Sequence, residues 1–282
     1  MIVDAHHHFW DPARAEYPWL TGELAPIRRA FGPADLRPLL TEQGVARTVL
    51  VQTRSSLDET REFLATAAAT DFVAGVVGWV DLTATDVAAT LEELLALPEG
   101  RWLVGVRHQV HDEPDPRWLL RDDVRRGLGA VGAAGLAYDL LVRPRELPAA
   151  LEVARGLPDV RFVIDHLAKP RIAHGADPEW AERLAPFSEL GHVSCKLSGM
   201  VTEAGWDRWR PDDLAPFVRQ VLGWFGADRA MFGSDWPVCL VAAPYGRVLE
   251  ALRPTLAGLS ASEQEAVLGG SAVRFYRLGV ED

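Results

Sequence analysis

With 282 residues, 48% of them hydrophobic, the chain can bury a large core, and its length suits an α/β barrel better than a simple sandwich. A net charge of -11, with the basic residues scattered along the chain, excludes nucleic acid as an expected partner and leaves a small molecule. Cys195 and Cys239 lack disulfide or metal spacing, no apolar run reaches membrane length, and the first residues carry no signal-peptide pattern, so no membrane partner and a cytoplasmic location are expected.

From the N-terminus onward, short β-branched runs alternate with longer amphipathic patterns. Strands are predicted at 2–8, 47–53, 72–80, 102–110, 135–142, 160–167, 192–199 and 229–236. A long segment at 9–32, rich in proline and aromatic residues, follows the first. After the third, a helix is expected with Val87, Leu91, Leu94 and Leu95 on one face, Thr85 as its N-cap, and Pro98 and Gly100 as stop signals. Leu214, Phe217, Val218, Val221, Leu222 and Phe225 mark a second clear helix that ends at Gly226, and 260–276 reads as a helix closing the ring. Such alternation requires right-handed crossovers and a parallel sheet. Eight repeats, with no Gly-x-Gly-x-x-Gly fingerprint after the first strand, predict a (β/α)8 TIM barrel forming one domain over 1–282.

In such a barrel the site lies at the C-terminal ends of the strands. Polar residues gather there: His6 and His8, then Gln52, Trp79, Arg107 with His108, Asp139, His166, Lys196 and finally Asp235. Trp10, Trp19, Trp206, Trp209 and Trp236 fall on the same face, either as a stacking platform for a ligand or as seals of loops onto the rim.

The stretch DAHHHFWDP places three histidines on one strand. Alternation turns His6 and His8 inward together with Asp4, and His7 outward as a structural residue. With His166 and Asp235, the inward pair makes three nitrogens and a carboxylate, a plausible set for one divalent ion, zinc first, with water in the open position. The same four also work without metal, with Asp235 taking a proton from water and the imidazoles donating to a carbonyl. Taken singly, Asp235 could be a cap and His166 a core histidine. Arg107 is an inward cation suited to substrate, which leaves its neighbour His108 outward. Lys196 is expected as a substrate-facing amine, and Arg143 and Lys169 as solvated loop charges.

Together, DAHHHFWDP, GVRHQVHDEPDP, VIDHLAKP, CKLSG and MFGSDWPV resemble the amidohydrolase-2 branch of the amidohydrolase superfamily, with its sugar-lactone and pyrone-dicarboxylate lactonases nearest in likeness. The resemblance spans nearly the whole chain. It implies the barrel, hydrolysis of a small lactone, catalytic roles for His6, His8, His166 and Asp235, and substrate binding by Arg107. It also implies a shell short of a full binuclear metal set, occupied by one metal or none. Too few cations converge for a pyrone dicarboxylate, so an aldonolactone of the fucono-, rhamnono- or galactono- type is preferred. Gln52, Asp139, Tyr138 or Arg107 would take its hydroxyls, and tryptophan such as Trp79 the sugar face. The rival readings are zinc-dependent decarboxylation of an unsaturated carboxylic acid and a non-catalytic binding barrel.

Overall fold

Valine-rich runs form strands here because both of their faces are buried, one against the barrel interior and one against helices. In the computed structural model, which describes residues 1–279, eight such strands make one parallel sheet in the order β1 (Ile2–His7), β2 (Val45–Val51), β3 (Val73–Gly78), β4 (Leu103–His108), β5 (Ala137–Leu140), β6 (Arg161–Ile164), β7 (Val193–Leu197) and β8 (Ala230–Phe232). The ring closes beyond β8, where the amide of His8 donates to the Trp236 carbonyl at 2.7 Å and the amide of Asp235 to that of His6 at 2.8 Å. This is the (β/α)8 barrel expected from the sequence.

Helices α1 (Pro33–Gln43), α2 (Leu57–Ala68), α3 (Val87–Ala96), α4 (Asp122–Ala133), α5 (Leu147–Gly156) and α6 (Pro178–Leu184) follow the first six strands in turn. The seventh is followed by a single turn, α7 (Met200–Glu203), and then α8 (Pro211–Phe225); the eighth is followed by α9 (Tyr245–Leu252). The last helices among the described residues are α10 (Ala261–Glu265) and α11 (Ser271–Tyr276), joined by a π-turn. Proline at its first position and the Asp213 carboxylate accepting from the Arg210 amide at 2.7 Å start α8, whose apolar face is the one read from the sequence. Two details of α3 differ. Asp86, not Thr85, precedes its first turn, without a side-chain capping bond, and Leu95 is 37% exposed, one position off the buried Val87–Leu91–Leu94 stripe.

The barrel interior is filled low down by Val3, Ala5, Val49, Val51, Val77 and Val163, and plugged by Ala272, Tyr276 and Leu278. Tyr276 enters from α11 and donates its hydroxyl to both oxygens of Asp139, at 2.9 and 2.7 Å. A larger core lies between sheet and helices. No helix among the described residues is long and apolar enough to cross a membrane.

Candidate active site

Two breaks in strand regularity assemble the site. In β1, Asp4 pairs with Thr48 but His7 with Leu50, so three residues span two of the partner strand. This bulge corrects the expected alternation: Val3 and Ala5 face inward, His6 is inward as well, and Asp4 turns out. Its carboxylate accepts from the amide and hydroxyl of Ser234 at 2.8 and 2.6 Å and from the Tyr245 hydroxyl at 3.1 Å. His7 faces outward, with Nε2 2.9 Å from the Thr48 hydroxyl. At the end of β6, His166, Leu167, Ala168 and Lys169 all adopt left-handed backbone, with φ between 53° and 59°. The chain doubles back there, so adjacent Asp165 and His166 both reach the interior.

The resulting floor centres on one carboxylate oxygen. Asp235 Oδ1 lies 3.4 Å from His8 Nε2, 3.8 Å from His6 Nε2 and 3.9 Å from His166 Nε2. Asp235 itself has a φ of 57°, which lifts it out of β8 toward the cavity. Burial pushes its carboxyl up, yet the His166 and His8 imidazoles outweigh that and hold it below its ordinary value of 3.8. Burial likewise lowers His166 to about 3 and His6 well below 6.5. Near neutral pH the floor is an ionised carboxylate facing neutral His6 and His166.

Beneath lies a buried ionic layer. Lys196 Nζ sits 2.6 Å from Asp139 Oδ2, 3.0 Å from Asp165 Oδ1 and 3.1 Å from His6 Nδ1. Arg107 donates from Nη1 to Asp165 Oδ2 at 3.1 Å and from Nε to Gln52 Oε1 at 3.0 Å, and its Nη1 is 3.2 Å from His6 Nε2. Burial would raise Asp165, but Lys196, His6 and Arg107 hold it well below 3.8.

Above the floor opens a cavity of about 420 Å³ walled by His8, His166, Asp235 and Arg107. A larger groove of about 890 Å³ between α6 and α8 contains none of these residues. Several expected substrate contacts lie elsewhere. Lys196 and Asp139 are wholly buried by their mutual ion pair and Tyr276, and Gln52 is wholly buried under Arg107; none of the three reaches the cavity wall. Trp79 leaves the wall too, because its indole donates to His108 Nδ1 at 3.0 Å and His108 stacks on Trp118 outside the barrel. Tyr138 packs outward against Phe162. Conversely, Arg143 and Lys169, expected as solvated charges, line the cavity, as does His111. Of the five rim tryptophans, Trp19 and Trp206 line it, whereas Trp10, Trp209 and Trp236 are buried seals.

The sequence reading missed Asp165, Ser198, Gly199 and Ser234. Ser198 Oγ lies 2.8 Å from His166 Nδ1. A Cβ on Gly199 would come within 2.6 Å of that imidazole, and one on Gly233 within 2.7 Å of His6 Cβ. The signal was present in CKLSG and FGSD: a glycine beside a polar residue at a strand end, where a ring must approach the backbone.

The donor set fits one divalent ion. His6, His8 and Asp235 offer ligand atoms within 4.8 Å of one another. His8 Nδ1 is 2.8 Å from the Val51 carbonyl, which only accepts, so Nδ1 carries a proton and Nε2 is the ring nitrogen turned toward Asp235 and able to ligate. The amidohydrolase family model matches residues 3–278. An L-fucono-1,5-lactonase of Burkholderia ambifaria is 42% identical over 98% of this chain and 95% of its own, and one of Burkholderia multivorans 39% identical over 98% and 96%. A solved amidohydrolase from Burkholderia multivorans with bound zinc superposes with a TM-score of 0.93, at 36% identity over 99% of each chain. The chain belongs to the amidohydrolase family.

Proposed function

We propose that this protein is a lactonase that opens a sugar aldonolactone to its hydroxy acid, with L-fucono-1,5-lactone as the leading candidate substrate. The observation that carries the reading is the ionised Asp235 carboxylate, fixed among three imidazoles at the floor of a sugar-sized cavity; the lactonase relatives, similar over almost their full length, support the same chemistry.

The lactone carbonyl carbon sits above Asp235, which takes a proton from the attacking water. Arg107, held by Asp165 and Gln52, and the His166 imidazole stabilise the negative charge that develops on the carbonyl oxygen. Collapse breaks the bond to the ring oxygen, which leaves as an alcohol with the proton that Asp235 acquired. Bond making and proton transfer thus balance within one carboxylate cycle. His6, His8, His166 and Asp235 would hold one divalent ion, zinc by their nitrogen-rich chemistry, and when bound it polarises the carbonyl and makes water more acidic. Activity that tracks metal content after chelation and reconstitution supports a metal requirement; full activity in metal-free protein removes it.

A panel of aldonolactones monitored with a pH indicator, beside carboxylated substrates monitored for CO2, tests the reading. Acid release from sugar lactones is expected. Inert lactones together with CO2 evolution would replace the reading with decarboxylation.

A further inference from the structure

The cavity is two-sided. From β4 to β7 its wall is mostly polar, presenting Gln109, Asp112, Arg143, Lys169 and Glu203, with Leu141 and Trp206 as the apolar members of that arc. Beside Asp235 it is aliphatic. Leu24, in the turn Gly22–Ile27, packs beside Val238 and Val241 in the turn Val238–Val241, and all three remain only partly buried. The amide of Cys239 donates to the Asp235 carbonyl at 2.9 Å, which fixes Val238 relative to the carboxylate. Partly exposed aliphatic side chains next to a reacting group gain by contact with an apolar part of the ligand.

The covalent structure of a lactone says which part that is. In a six-membered aldonolactone the reacting carbonyl carbon has the ring oxygen on one side, and C6 hangs from the next ring carbon, three bonds from the carbon attacked. The hydroxyls of C2, C3 and C4 lie on the other side of the carbonyl. A substrate seated with its carbonyl over Asp235 and its hydroxyls toward the polar wall therefore brings C6 to Val238, Val241 and Leu24.

The geometry points to these three side chains as the residues that select a methyl at C6, so that the site prefers 6-deoxy aldono-1,5-lactones to their 6-hydroxy counterparts. The inference rests on the lactonase reading and adds to it the chemical class and the residues that choose it. An aliphatic wall rejects an added hydroxyl only moderately, because the hydroxyl must lose its water without gaining a partner; a preference of about 10- to 100-fold in kcat/KM is expected.

The test compares kcat/KM for L-fucono-1,5-lactone and L-galactono-1,5-lactone, which differ only at C6, in the parent protein and in Val238→Thr and Val241→Thr. Threonine keeps the volume and adds a hydroxyl. The expected result is a parent preference for the 6-deoxy lactone that falls about tenfold in at least one variant. A parent that hydrolyses both equally well overturns the inference whatever the variants do. So does an unchanged preference in folded variants. A parent inert on both lactones overturns the lactonase reading instead, so the two failures are distinguishable.

Discussion

Lys196 Nζ lies 2.6 Å from Asp139 Oδ2, with both side chains wholly buried beneath the cavity, and the same ammonium reaches Asp165 and His6. The lysine is thus a support for the site's floor. Removing one member of a buried pair leaves the other charge without a counterpart, at about 3–5 kcal/mol. Lys196→Met is expected to lower stability by that order in denaturant titration and, where folded, to reduce kcat more than it raises KM, because His6 loses its neighbour while the cavity wall is untouched. A large rise in KM at constant kcat would instead make Lys196 a substrate contact.

The histidine run separates into two behaviours. His7 bonds Thr48 and packs on Phe9 outside the barrel, so His7→Ala should lower stability by about 1–3 kcal/mol through the lost buried hydrogen bond, with kcat/KM near the parent value. His8→Ala should instead reduce kcat/KM by roughly 100-fold with little change in unfolding midpoint. Steady-state kinetics beside thermal melts decide; the reverse pattern would mean that the bulge in β1 is misassigned.

Gly199 is a packing requirement of His166. Its φ is 62°, and a Cβ there would press on the ring at 2.6 Å. Gly199→Ala is expected to lose about 1–3 kcal/mol from backbone strain alone and to reduce kcat further by displacing His166. Normal kcat in a destabilised variant would uncouple this glycine from the site.

The pH profile follows from the signs of the shifts. In the proposed mechanism Asp235 must be ionised to accept a proton, and its carboxyl titrates below 3.8, while His166 titrates at about 3 and His6 well below 6.5. All three therefore hold their working forms as pH falls from neutrality, and kcat/KM should stay level down to about pH 5 and drop only at lower pH, as Asp235 takes up a proton. A rate profile with an acid limb centred near pH 6.5 would point to a histidine as the base.

Much of this was legible in the sequence, for a definite reason. Strand and helix periods survive wherever the backbone is regular, so the eight strands, the stripe on α8 and the gathering of His6, His8, His166 and Asp235 at one rim could be read from spacing. What escaped was every consequence of irregular backbone. The bulge in β1 sent Asp4 to Ser234, and the left-handed turn after β6 brought Asp165 inward beside His166, where strict alternation would separate them. Lys196, Gln52 and Asp139 are expected at the C-terminal ends of their strands, facing substrate on the rim, and instead lie buried below it. A strand's end gives the rim, and only long-range partners such as Tyr276 and Asp165 reveal that these residues are consumed by one another below the cavity.

The proposed role of Asp235 is that of the base for lactone opening. It is tested most directly by proton release from L-fucono-1,5-lactone in the parent protein and in Asp235→Asn, whose side chain keeps the shape and loses the charge. The expected result is one proton released per lactone opened by the parent, with kcat in the folded variant lower by about 10²- to 10⁴-fold. Near-parental turnover by a folded Asp235→Asn protein would contradict it.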